Sequence, residues 1–164
     1  DWHNVPFRSP YKSGPVDAMP ALPDYWASVK EADAAHPFRL ATSPARGFLN
    51  STFNETPTSL ANEKRPTVMI HPDDAREHGI ADGDAVVLGN TLGEVRLTAR
   101  VFAGVRHGVL IAESIWPNSA YPDGRGINTL VGSDPIAPYG GAAVHDNKVW
   151  VRRAPDAAQH GASA

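Results

Sequence analysis

The stretch TVMIHPDDAREHGIADGDAVVLGNTLGEVRLTARV, residues 67–101, changes period twice, and those changes decide the fold class. Val95, Leu97, Ala99 and Val101 alternate with Glu94, Arg96, Thr98 and Arg100, which is the two-residue period of a strand with one apolar and one wet face. Ala85-Val86-Val87-Leu88 and Thr67-Val68-Met69-Ile70-His71 read as two more strands. Between them, Pro72 to Gly79 predicts a two-turn helix: Pro72 suits the first helical position, Asp73 and Asp74 complement the positive end of the dipole, and Gly79 offers a left-handed stop. Ala81-Asp82-Gly83-Asp84 and Asn90-Thr91-Leu92-Gly93 are the turns.

Working outward, Phe38-Arg39-Leu40 opens an earlier strand and Lys148-Val149-Trp150-Val151-Arg152 supplies a closing one. Val109-Leu110-Ile111-Ala112 is an unbroken apolar run, expected to be a strand buried on both faces. Turn signals at intervals of about 8 to 12 residues point to an all-β sandwich or barrel. The expectation is a mainly β domain with strands near 38–42, 67–71, 85–89, 94–102, 109–113 and 148–152 closing into one barrel, and a helix at 72–79.

The chain has 164 residues and a formal net charge of −3. That length suits one domain with additional segments, since domains cluster at roughly 100 to 150 residues. Residues 1–35 read as an extended lead-in, with Pro6, Pro10, Pro15, Pro20 and Pro23 and one short helical turn around Tyr25 to Ala34. Its aromatics, Trp2, Phe7, Tyr11, Tyr25 and Trp26, are costly to leave in water and should pack against something, in this chain or another. Residues 36–153 form the barrel domain, and 154–164 are small and polar enough for a flexible tail. The chain opens on Asp1 without a Met, which suggests a processed chain or a piece of something longer.

Composition excludes several functions. With no Cys there is no disulfide, zinc-thiolate site, iron-sulfur ligation or cysteine nucleophile in this chain. A pI of about 6.1 lacks the basic footprint of a nucleic-acid binder. No apolar run approaches the roughly 20 residues of a membrane span, and no secretory signal opens the chain, so a cytoplasmic rather than periplasmic location is expected.

The chemistry concentrates in loops. Thr42-Ser43-Pro44-Ala45-Arg46-Gly47-Phe48-Leu49-Asn50-Ser51-Thr52 follows the first strand with hydroxyls, a glycine, an arginine fork and an amide, the donors a phosphate site uses. A hydroxyl-capped turn with a solvated arginine has the same composition. The sequons at Asn50 and Asn54 carry little weight without a secretory signal. A long loop, Trp116 to Ala142, exceeds the 12 to 15 residues or so of a mere connector. In it, Trp116 offers a stacking surface, while Asn118 and Asn128 offer amides that read donors and acceptors of a base edge. A core tryptophan and turn asparagines are the plainer reading of the same residues.

Enzyme templates are missing. GxSxG, HExxH, GxGxxG and the P-loop pattern do not occur, and His3, His36, His71, His78, His107, His145 and His160 show no ligand spacing on a common element. His71 and His78 read as surface residues flanking a helix. Asp73 with Asp74, and Asp82 with Asp84, are better explained by a helix first turn and a β-turn than by a catalytic pair. His145-Asp146 has no nucleophile near it in sequence. No catalytic residue and no metal ligand is assigned.

Taken in order, several motifs carry a family resemblance from His36 to Arg152. They are Phe38-Arg39-Leu40-Ala41-Thr42 into Ser43-Pro44-Ala45-Arg46 and Leu49-Asn50-Ser51; Val68-Met69-Ile70-His71-Pro72-Asp73-Asp74-Ala75; Gly79-Ile80-Ala81-Asp82-Gly83-Asp84-Ala85-Val86; Gly93-Glu94-Val95; Gly108-Val109; and Asn128-Thr129-Leu130 before Asp134-Pro135. The run resembles the C-terminal molybdopterin-dinucleotide-binding domain of the bis-molybdopterin guanine dinucleotide oxidoreductases, which include formate dehydrogenases, nitrate reductases and dimethyl sulfoxide reductase. The resemblance implies a double-psi β-barrel with short helices and long loops. It implies that molybdopterin guanine dinucleotide, carrying molybdenum or tungsten, is held by Thr42, Ser43, Arg46, Asn50, Ser51, Trp116, Asn118, Asn128 and Leu130. Family members often bring a basic residue to the cofactor before the last strand, and the matching stretch offers His145 or Lys148. The metal ligand and any iron-sulfur cluster belong elsewhere in such enzymes, so the implied partner is the catalytic remainder, in the same or a separate chain.

Two other readings of such a barrel stand beside this one. A pyruvoyl-dependent decarboxylase self-cleaves at a Gly-Ser bond, and Gly132-Ser133 is such a dipeptide, though Gly-Ser-Asp-Pro reads better as a turn. A double-psi barrel that binds only protein partners is the other.

Overall fold

The computed structural model describes residues 31–132, 135–136, 141–142, 144–145 and 147–155. The proline-rich lead-in, its five aromatics and most of the tail lie outside them. So does most of the helical turn expected at Tyr25–Ala34, whose described end is a turn closed by an Asp33–His36 bridge.

Among the described residues, eight strands and two α-helices run in the order β1 (Phe38–Ser43), α1 (Pro57–Glu63), β2 (Thr67–Ile70), α2 (Pro72–Glu77), β3 (Ala85–Asn90), β4 (Gly93–Val101), β5 (Val109–Glu113), β6 (Pro135–Ile136), β7 (Gly141–Ala142) and β8 (Asn147–Arg153). Six of them close a barrel in the order β1-β5-β2-β4-β3-β8. β1 pairs parallel with β5, and β2 parallel with β4, while the remaining pairs are antiparallel. The β1-to-β2 connection therefore passes over β5, and the β4-to-β5 connection passes over β2. These two interlocked crossings make the barrel double-psi. The tiny β6–β7 hairpin is separate and lies within the long loop.

The alternation seen in residues 94–101 becomes the barrel wall. Val95, Leu97 and Ala99 are buried, while Glu94 and Arg100 face solvent. They join Leu40, Val68, Ile70, Val86, Leu88, Leu110, Val149 and Val151 in one core. Beside β3, the Trp150 indole lies so close across Gly89 that any Cβ there would collide with it. The glycine is required by packing, not by backbone conformation.

Two expectations need correction. β5 is not buried on both faces: Leu110 and Ala112 point into the core, but Val109 and Ile111 lie on a partly open outer wall. Two-sided burial falls instead on β2 and β3, where Met69 and Val87 are covered on the outside. Helix α1 was not expected. Pro57 at its first turn was a legible start signal, but the helix buries no residue, so no apolar period marked it. Glu63 anchors α1 by accepting the Gly47 N–H at 2.5 Å.

Strand direction sorts the connections between two ends. The upper rim carries the chain from β1 to β2, the β3–β4 turn and the long loop from β5 to β8. The lower rim carries α2 and the β4-to-β5 crossing.

Candidate cofactor site

Because β1 and β5 are parallel neighbours, Ser43 and Glu113 leave the barrel side by side at the upper rim. Ser114 pins their two loops together. Its N–H donates to the Ser43 carbonyl at 2.7 Å and its hydroxyl donates to the Asn50 carbonyl at 2.7 Å. Leu49 and Thr52 exchange backbone hydrogen bonds at 3.1 and 2.8 Å, leaving Asn50 and Ser51 as an exposed turn tip. Beneath the tip, Phe48 meets Trp116 edge to face, with ring centroids 4.7 Å apart.

The long loop folds over the same end. Asn118 accepts the Gly126 N–H through Oδ1 at 3.0 Å, and Asn90 in the β3–β4 turn donates its amide to the Leu130 carbonyl at 2.8 Å. Thr42 Oγ1 and His145 Nδ1 lie 2.9 Å apart. Thus Thr42, Ser43, Asn50, Ser51, Trp116, Asn118, Asn128, Leu130 and His145 share one rim, and Arg46 belongs to the same loop. Their surfaces differ. Arg46, Asn50, Ser51, Asn118 and Asn128 are exposed, whereas Trp116 is only 6% exposed and Leu130 is fully buried. Trp116 is a pillar under the rim, not an open stacking platform. Arg46 has no hydrogen bond or ion pair among the described residues.

Lys148 lies apart from this group. It pairs in register with Arg39, well down the outer wall, and bonds to Asp33. The ammonium holds the Asp33 carboxyl well below the ordinary carboxylate range. Of the two basic candidates, His145 stands at the rim, whereas Lys148 lies within β8. Ser133 and Asp146 fall outside the described residues.

Sequence reasoning missed the residues that shape the rim, Ser114, Phe48, Tyr121 and Asn90. Phe48 and Asn90 stand in stretches read as loop and turn, but the role of each of the four rests on a contact distant in sequence. Tyr121 is buried, and burial pushes its phenol up to about 12, against backbone hydrogen bonds at Ile127 and Trp116 that pull it down. An unfolded tyrosine ionises near 10, so the folded chain holds this proton more tightly. Its contribution, on the order of 2 kcal/mol, is complete below pH 10 and is lost as the pH rises towards 12. Thermal melts from pH 9 to 12 should show a steeper alkaline loss for the wild type than for Tyr121→Phe; equal slopes would remove Tyr121 as the cause.

The donor set fits an anionic nucleotide with polar edges: exposed guanidinium, amides and hydroxyls on a braced loop. Backbone strain clusters at the same end. All the non-glycine residues with positive φ among those described, Asn50, Phe53, Lys64 and Ser114, lie in the upper-rim connections. Such conformations persist where the surroundings over-determine them, as at ligand clamps.

The family model of the "Molydopterin dinucleotide binding domain" matches residues 38–149. The chain belongs to this family. A "Probable oxidoreductase YoaE" of Bacillus subtilis is 38% identical over 130 residues, covering 77% of this chain and 18% of that protein. The "Respiratory nitrate reductase subunit alpha" of Haloferax mediterranei is 28% identical over 111 residues, covering 67% of this chain and 11% of the other. Among solved structures, acetylene hydratase from Pelobacter acetylenicus superposes with a TM-score of 0.61 at 13% identity, covering 73% of this chain and 18% of that one, a likeness of fold. The chain thus spans less than a fifth of these relatives. It is a molybdopterin dinucleotide-binding domain.

Proposed function

We propose that the upper rim holds molybdopterin guanine dinucleotide. The observation that supports this most is the convergence of the β1 loop, the β5 exit and the long loop at one end, braced by Ser114 and carrying polar groups on its open side. Arg46, Asn50 and Ser51 bind phosphate or ribose oxygens, Asn118 and Asn128 read the polar edges of the guanine or pterin, and His145 adds a donor beside Thr42. Trp116 orients the loops from below. When bound, the cofactor supplies redox chemistry through a dithiolene-held molybdenum or tungsten; this domain supplies recognition and orientation. The metal ligand and the substrate site come from the remainder of the enzyme, so the chain alone should turn over no substrate and retain no molybdenum after dialysis.

Arg46 carries the test. A charge-assisted contact contributes roughly 1.5 to 3 kcal/mol, so Arg46→Ala should weaken binding of the guanine dinucleotide by about ten- to a hundredfold. Titration of wild type and variant at matched salt reads this directly. A solvated arginine would change affinity less than threefold, and equal affinities would take Arg46 out of the site.

A further inference from the structure

The lower rim brings together residues that the sequence keeps apart. His71 precedes α2, Asp73 lies in its first turn, and His107 ends the β4-to-β5 crossing. The two imidazoles pack ring against ring with centroids 3.7 Å apart. His107 Nε2 lies 3.4 Å from Asp73 Oδ2. One nitrogen of each histidine and one oxygen of Asp73 all lie within 4.8 Å of one another. Arg76 holds the other Asp73 oxygen at 2.8 Å, so Oδ2 is the one left to the imidazoles.

From these contacts we propose that His71, Asp73 and His107 form a binding site for a borderline divalent transition ion such as zinc. Imidazole and carboxylate ligands lie about 2.0 to 2.2 Å from zinc, so tetrahedral neighbours stand roughly 3.4 Å apart. His107 and Asp73 already have that spacing. His71 must approach by rotation of its side chain, and Asp73 and His107 are exposed enough to yield to it. Two nitrogens and one carboxylate oxygen suit zinc or its neighbours better than magnesium or calcium, which take oxygen ligands.

A second observation stands behind the three ligands. Asp74 is buried, at 8% exposure, and accepts the Gly108 N–H at 2.9 Å through one oxygen. Its other oxygen lies 3.0 Å from His107 Nδ1. A carboxylate on the far nitrogen fixes the ring and its tautomer and leaves Nε2 as the ligating atom, the arrangement that commonly supports metal-bound histidine. A helix first turn explains Asp73 but not a buried Asp74 engaging the histidine of another connection. The ion would clip the β4-to-β5 crossing to α2, at the end of the barrel opposite the cofactor site, so this inference does not depend on the proposed function.

Calorimetric titration of the full chain with zinc chloride tests it. One zinc per chain should bind to the wild type, with affinity at least tenfold weaker in His71→Gln, His107→Gln and Asp73→Asn. Asp74→Asn keeps all three ligands and should lose about ten- to a hundredfold through the supporting carboxylate alone. Variants that bind zinc as tightly as the wild type would overturn the proposal. A reading without variants guards against misfolding: zinc should shift the imidazole NMR signals of His71 and His107 in the wild type. Shifts confined to His3, His36, His78, His145 or His160 would overturn it as well.

Discussion

Trp116→Ala should destabilise the domain by about 3 to 5 kcal/mol, the range for removing a large buried aromatic, and should weaken dinucleotide binding along with stability. The indole is 6% exposed and its edge-to-face partner, Phe48, is 3% exposed, so the substitution empties a pocket walled by two different connections. Leu49 and Asn50 directly follow Phe48, so the turn tip loses its aromatic support while keeping its bond to Ser114. Urea denaturation measures the first effect and nucleotide titration the second. Trp116→Phe, which keeps a ring, should recover part of both. If Trp116→Ala lowered affinity with no loss of stability, the indole would be a direct ligand contact instead of a pillar.

Leu110→Ala should cost about 2 to 5 kcal/mol, because a fully buried leucine at the barrel centre leaves a cavity that neighbours fill only in part. β5 is a sensitive place for such a cavity. It pairs parallel with β1 on one side and antiparallel with β2 on the other, so both ψ-crossings depend on its position. Ile111→Ala, one residue along, should cost much less, since its side chain lies on the partly open outer wall. Denaturant midpoints for the two variants check the contrast. Equal losses would mean that β5 is covered on both faces, as its apolar run suggests.

That run shows where sequence reading stops. Val109-Leu110-Ile111-Ala112 carries no alternation, so its two faces cannot be told apart until the neighbours are known. β4 is the opposite case, because its strict alternation names its inner face directly. α2 was legible from Pro72, Asp73, Asp74 and Gly79, and it ends with Gly79 at φ 63 as that glycine suggested. α1 was not, since a helix with every side chain in contact with water has no apolar stripe to read.

The candidate site divides along the same line. Its exposed polar members, Arg46, Asn50, Ser51, Asn118 and Asn128, stand in loops whose composition singles them out. The role of their supports is not legible there, because Ser114, Phe48, Tyr121 and Asn90 act through contacts between connections distant in sequence. Trp116 could be read as a stacking surface or, more plainly, as a core aromatic, and its burial against Phe48 bears out the plainer reading. The His71, Asp73 and His107 group has no ligand spacing along the chain at all; it exists because the crossing from β4 returns beside the end of β2.

By itself, then, the sequence determined local matters: period, turns, the start and stop of α2, the strand positions to within a residue or two, and the loop chemistry. These depend on neighbours within a few positions. Strand order, the covering of Trp116 by Phe48 and the meeting of two histidines at the lower rim were decided only by tertiary structure. The physical reason is the interlocked topology: each ψ-crossing brings together residues far apart in the chain, and only barrel closure determines which groups become neighbours.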